Sequence, residues 1–184
     1  GYLCPKRTRA TLLEAEDLLS QVTELAPRFA DAHADLATVY NLMVEYGVRS
    51  PEIGYSLSRA AAEKAIALDP TLAPPHTVLG DIAVFWSRDY QQGLYYFERA
   101  LALDPDDALT RHWYAAALMG LGRFDQAASE IGMAREREPM SRSIGVSRAM
   151  ILLGLGQVEE AREALLQLIQ NEPDYRSPYR FLSF

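Results

Sequence analysis

Three histidines are the side chains best suited to proton transfer or metal ligation in this sequence, and their placement keeps them apart. His33, His76 and His112 are scattered along the chain, with no His-x-x-x-His and no Cys-x-x-Cys pair. His33 and His76 recur at one position of successive helical hairpins. Packed helices hold their axes about 8–10 Å apart, too far for both imidazoles to reach one metal at bonds of ~2 Å. Cys4 is the lone cysteine, with no nucleophile motif around it, so no disulfide can close within the chain. Gly120-Leu121-Gly122 and Gly154-Leu155-Gly156 follow helical segments and lack the downstream Lys-Ser/Thr of a phosphate-cradling loop. The acidic pairs Asp106-Asp107 and Glu159-Glu160 fall at helix starts, where carboxylates favour the positive end of the helix dipole. The expectation is no catalytic residue, no metal site and no cofactor: a protein that is not an enzyme.

Bulk properties agree with a binding role. Of 184 residues, 49% are hydrophobic and 23% charged, enough apolar surface for a continuous core and no sign of disorder. The net charge of −7 argues against nucleic acid, whose phosphates require a basic stripe. The one basic cluster, Lys6-Arg7-Thr8-Arg9, is expected to be solvated. No apolar run approaches the ~18 residues that would cross a bilayer. A cytoplasmic setting is expected, and a periplasmic one would follow from a transmembrane segment in the parent protein. Residue 1 is Gly rather than Met, which reads as a fragment of something larger.

The organisation of the chain lies in its repeats. Glu63–Pro70 (EKAIALDP) returns as Glu98–Pro105 (ERALALDP), and Gly120–Ala127 (GLGRFDQA) returns as Gly154–Ala161 (GLGQVEEA). Prolines close the units at Pro27, Pro70, Pro105, Pro139 and Pro173. The last units have a period of about 34 residues, and the first full one is nine longer. Within each unit, large and small residues alternate at helical spacing. Leu79-Gly80 and Tyr114-Ala115 mark first helices; Gly93, Phe97 and Ala100, then Ala127, Ile131 and Ala134, mark second helices. Small residues are needed where the two helices of a hairpin cross closely, and large ones fill the seam to the next hairpin. Proline stops the second helix because it lacks an N–H and restricts the residue before it.

This period and pattern resemble the tetratricopeptide repeat. The resemblance implies an all-α fold: a right-handed superhelix, or solenoid, of helical hairpins, with about four full repeats and partial repeats at both ends. The expected divisions are a partial repeat at 1–28, a long repeat at 29–71, repeats at 72–106, 107–140 and 141–174, and a terminal partial helix at 175–184, all in one array. Helices are expected at about 29–44 and 52–68, 72–86 and 90–103, 107–120 and 124–136, and 141–154 and 158–170. Ser50 is the expected cap of the helix opened by Pro51, and Thr8 or Thr11 that of the first helix, Thr11-x-x-Glu14 having the spelling of a capping box. The glycines at 120, 122, 154 and 156 are expected to end first helices in a left-handed conformation. Tyr175, Tyr179 and Phe181 would begin a covering helix or a further repeat.

In this family the first helix of each hairpin lines a concave face. Carried over by register, the groove positions include Thr38, Asn41, Leu42, Thr77, Asp81, Val84 and Phe85. Further along they include Leu109, His112, Ala116, Met119, Val146, Met150 and Leu153. The strongest candidates are Thr38, Asn41, Thr77, Asp81, Phe85, His112, Met119 and Met150, a mixed lining suited to a peptide anchored by apolar side chains. Members that hold a C-terminal carboxylate use Lys, Arg and Asn there. The corresponding Ala34, Thr38, Thr77, Asp81, Val146 and Met150 form no basic clamp, which excludes the heat-shock co-chaperone role.

A narrower resemblance rests on Gly1-Tyr2-Leu3 with Lys6-Arg7-Thr8, on Ser50-Pro51, on His112-Trp113-Tyr114-Ala115, and on Leu118 through Ala127. The chain is similar in these to the repeat region of bacterial winged-helix transcriptional regulators of the invasion-gene type, and of repeat-containing nucleotide cyclases. The implied role is a non-catalytic protein–protein interaction module in a transcriptional regulator or signalling protein. Its partner would be a protein or peptide ligand, or another domain of the parent protein. The alternative is a secretion or assembly scaffold or chaperone. A small-molecule sensor or an accessory domain of an enzyme ranks below both. Oligomeric state is not legible.

Overall fold

A computed structural model describes residues 8–171. Cys4, Lys6, Arg7, Pro173 and the apolar Tyr175, Tyr179 and Phe181 lie outside the described residues. Among those described, the structure is helical and contains no strand. It divides into two compact units, Gly1–Pro105 and Asp106–Phe184.

The first unit contains α1 (Arg9–Leu25), α2 (Ala30–Glu45), α3 (Pro51–Leu68), α4 (Ala73–Asp81, continued by a π-helical turn at Ile82–Trp86) and α5 (Tyr90–Leu103). The second contains α6 (Ala108–Gly120), α7 (Phe124–Arg137), α8 (Arg142–Gly154) and α9 (Val158–Asn171). Within each unit, consecutive helices pack as neighbours. The first helices of adjacent hairpins also touch, α2 on α4 and α6 on α8. Helix bounds fall within one or two residues of the sequence expectation.

Local chemistry accounts for the starts. Thr8 caps α1 by accepting from the Thr11 amide (3.3 Å), while the Thr11 hydroxyl accepts from the Thr8 amide (3.0 Å). The reciprocal box is therefore Thr8–Thr11, not Thr11–Glu14. Asp89 and Asp107 cap α5 and α6 through the amides of Gln92 (3.0 Å) and Thr110 (2.9 Å). Ser50 is extended ahead of Pro51, but its side chain makes no cap bond.

The glycine expectation needs correction at two of four positions. Gly122 (φ 72°) and Gly156 (φ 78°) are left-handed and end α6 and α8, a conformation that glycine adopts without the backbone strain a side chain brings. Gly120 and Gly154 are instead the last helical residues. A Cβ on Gly154 would lie 2.1 Å from the Phe124 ring, so that site needs smallness. Close crossing also explains Gly93, where a Cβ would stand 2.2 Å from a Val84 methyl.

The nine extra residues of the first hairpin are spread along it. α2 has 16 residues and α3 has 18, against 13 and 14 for α6 and α7; the remainder lengthens the connecting loop. This loop carries Arg49, which pairs with Glu16 of α1 and lies over the Tyr40 ring at 5.7 Å.

The second hairpin breaks the regular pattern. Its first helix widens into the π turn, with the Ser87 amide bonded to the Ile82 carbonyl (2.9 Å) and the Asp89 amide to that of Ala83 (2.8 Å). The left-handed position that follows is filled by Arg88 (φ 59°), whereas the other hairpins use Gly47, Gly122 and Gly156. An L side chain in that conformation costs about 1–2 kcal/mol, and glycine gives part of this back as unfolded-state entropy. Arg88→Gly is expected to raise the unfolding free energy by about 0.5–1 kcal/mol, measured by urea denaturation; unchanged stability would mean that Arg88 is held without strain.

Candidate functional site

The expected groove residues separate into a buried set and a partly open set. Thr38 (4% exposed), Asn41 (2%), Thr77 (2%) and Asp81 (7%) are buried, as are Leu42 and Val84. The expectation that these six line an open groove is corrected here: they sit within the first unit. Thr38 and Thr77 return their hydroxyls to carbonyls one turn back, those of Ala34 (3.1 Å) and Ala73 (3.4 Å). Each hydroxyl is thereby satisfied without solvent.

Asn41 and Asp81 are brought together across α2 and α4. The Asn41 amide donates to Asp81 Oδ2 at 2.9 Å, and its Oδ1 is buried without a hydrogen-bond partner. Burial pushes the Asp81 carboxyl up to about 7; the Asn41 bond acts against this shift and the nearby Glu45 charge adds to it. The same region pushes Tyr55 up to about 12, first through burial and then through the charges of Asp81 and Glu45. An ionised Asp81 is thus disfavoured in its surroundings. The pair is a polar tie between successive first helices.

Only the end of the π turn is open, after the buried Ile82, Ala83 and Val84. Phe85 (36% exposed) and Trp86 (45%) lie on the π turn, and the Trp86 ring meets Tyr55 of α3 at 5.4 Å. π turns and non-glycine residues at positive φ gather at functional sites, because a local departure from regular helix has to be sustained by the rest of the fold. Both departures occur here, in the segment that directly follows Asp81.

In the second unit His112, Met119 and Met150 are partly exposed, as are Leu109, Ala116, Val146 and Leu153. A second polar tie joins first helices there: His112 Nε2 lies 2.8 Å from the Ser147 hydroxyl. The other histidines are occupied by the fold. His33 Nε2 is 3.0 Å from the Pro27 carbonyl. His76 is buried, and burial first, then the Arg99 charge, push its pKa down, opposed by a hydrogen bond to the Pro70 carbonyl. Among the described residues no cluster of His, Cys, Asp or Glu could hold a metal ion, and no helix is long and apolar enough to cross a membrane.

Register alone did not find Trp86, the π turn or the Asn41–Asp81 bond. The bond had a visible signal: Asn41 and Asp81 interrupt the apolar runs Val39–Met43 and Val78–Val84, and a polar residue on a packed face needs a partner. The widened turn left no comparable trace in residue spacing.

Two family models, each described as tetratricopeptide repeat, match residues 87–144 and 146–175. These two segments are thus similar to tetratricopeptide repeats, units that build protein–protein interaction modules. Solved structures share the fold, among them two described as tetratricopeptide proteins. One is YrrB, described as having an unusual peptide-binding site, 20% identical with a TM-score of 0.65 over 98% of this chain and 94% of that one. Another is TTC0263 from Thermus thermophilus, 18% identical with a TM-score of 0.73 over 95% and 90%. A third is MamA, 20% identical with a TM-score of 0.60 over 94% and 97%.

Proposed function

We propose that this chain is a non-catalytic module that binds a peptide segment of a partner protein, or another domain of its parent, on the open part of its first helices. The observation that carries this reading is the π turn of the second hairpin. It presents Phe85 and Trp86 to solvent where the preceding first-helix residues are buried. Rigid aromatic side chains with one face packed and the other free are the usual anchors of protein interfaces. In the second unit, His112, Met119 and Met150 are partly open and form a separate candidate surface with adaptable contacts of the kind methionine provides. Thr38, Asn41, Thr77 and Asp81 act beneath the surface of the first unit, setting the spacing of α2 and α4.

The test uses peptides selected from a displayed random library against the 184-residue chain. Phe85→Ala is expected to weaken the selected peptide by about tenfold or more, the loss typical of an interface anchor. Tyr95→Ala, exposed on the second helix α5, should leave affinity unchanged. Unchanged affinity in both Phe85→Ala and His112→Ala would remove the first-helix face from consideration.

The finer role we assign is regulation, in a bacterial transcriptional regulator or signalling protein of the cytoplasm. It rests on the similarity around Ser50-Pro51 and His112–Ala127. The coding sequence upstream of Gly1 tests it: a winged-helix or nucleotide cyclase domain is expected, and a secretion operon or a metabolic enzyme domain would overturn it.

A further inference from the structure

Arginines gather at one place in the second unit of a chain whose net charge is −7. Arg142, Gly145 and Arg148 recur every third residue, so they share one face of α8. Ser147 turns to α6 through His112, and Arg148, the next residue, leaves the helix on a different side. There Arg142 and Arg148, with Arg135 from the last turn of α7, line a cavity of about 90 Å³, together with the apolar Met140 and Leu168. Among the described residues, no acidic residue lines this cavity. The absence of a side chain at Gly145 keeps its floor low, since a Cβ there would come within 2.8 Å of Leu168.

Neither Arg135 nor Arg148 makes a hydrogen bond or ion pair within the described residues. Arg148 is half-buried, and burial followed by the charge of Arg135 pushes its pKa down, with Glu160 acting in the opposite direction. Glu160 and Glu163 line the adjoining cavity beside the same two arginines, so compensation comes from that side alone. Arg135 has an ordinary reason to stand near the end of α7, the negative end of the helix dipole. Arg148, in the middle of α8, has no such reason. Two neighbouring guanidiniums with donors open to a ligand, one of them partly desolvated, are a ready partner for an anion that can accept their hydrogen bonds.

We propose that the Arg135–Arg148 cavity is a second binding site, for a side-chain carboxylate of an acidic peptide segment on a partner protein. A carboxylate presents two coplanar oxygens to a guanidinium fork, and the apolar rim of Met140 and Leu168 suits an aliphatic neighbour of that acidic residue. This site involves α7, α8 and α9 and does not depend on the Phe85 surface.

The probe is a short acetylated and amidated peptide alternating Glu with Leu, compared with its Gln-for-Glu counterpart and with inorganic phosphate. Binding to the 184-residue chain is followed by NMR at the Arg148 Nε–H and the Gly145 amide. The Glu peptide is expected to shift both signals and the Gln peptide neither. Arg148→Gln should weaken the Glu peptide about tenfold, the loss of one charge-assisted hydrogen bond. Arg135→Gln, at an exposed position that cannot disturb the core, should weaken it similarly, and Phe85→Ala should leave it unchanged. Equal shifts from the Glu and Gln peptides, or undiminished affinity in Arg135→Gln, would overturn the proposal. So would phosphate competing as strongly as the Glu peptide, which would make the cavity an inorganic-anion site.

Discussion

Replacing Asp81 with Asn is expected to stabilise the protein increasingly as pH rises from about 4 to 8, reversing the usual cost of altering a buried polar residue. The folded-state pKa of Asp81 is about 7, against 3.8 for the free carboxyl. Between those values the folded chain holds a proton that the unfolded chain has released. Stability therefore falls as pH rises through that window, by at most about 1.4 kcal/mol per pH unit. Above the folded pKa the penalty is complete, of the order of 4 kcal/mol. The amide introduced by Asp81→Asn carries no charge and can donate to the unbonded Oδ1 of Asn41, while the Glu45 charge loses the carboxylate it disfavours. Urea denaturation across that pH range would show wild type and variant nearly equal at the acid end and the variant ahead at the basic end. A constant difference throughout would show that Asp81 remains ionised in its site.

Phe97→Ala is expected to cost about 3–5 kcal/mol, a large share of the roughly 5–15 kcal/mol that holds a typical domain folded. Phe97 is fully buried on α5, and its ring lies against Gly80 of α4, where a Cβ would come within 2.8 Å of two ring carbons. The contact joins the two helices of the second hairpin and supports the π turn that follows. Truncating the ring leaves a cavity that rigid helices cannot close. Because ring and glycine are matched, Gly80→Ala alone should destabilise by about 1–3 kcal/mol through overpacking. Gly80→Ala combined with Phe97→Leu should lose less than the two single changes together, as expected of contacting residues. Additive losses would show that the two sites do not share their packing.

Helix order was legible because it depends on features that spacing records directly. Prolines ending second helices, small residues at crossings and a period near 34 residues each leave a mark at fixed offsets. Gly122 and Gly156 showed where first helices end. Gly120 and Gly154 carried the same letter for a different reason, since sequence alone does not separate a backbone requirement from a packing one. Exposure of the first-helix positions was harder to see. Thr38, Asn41, Thr77 and Asp81 occupy positions that the repeat register assigns to a groove, yet polar side chains can be buried when a backbone carbonyl or each other's amide lies within reach. That depends on how closely α2 approaches α4, a tertiary distance with no local signature. The left-handed Arg88 was equally hidden, because arginine gives no hint of positive φ. The cavity arginines of the second unit come from two helices, α7 and α8, and only the folded chain brings Arg135 beside Arg148.

The central claim is that a partner engages the open surface of the first helices while the second helices serve as support. Amide hydrogen exchange of the chain, free and saturated with a library-selected peptide, tests it most directly. Slowed exchange is expected at the π turn and its exit through Arg88. Slowing confined to α3, α5, α7 and α9, with the segment from Ile82 to Arg88 unaffected, would contradict it.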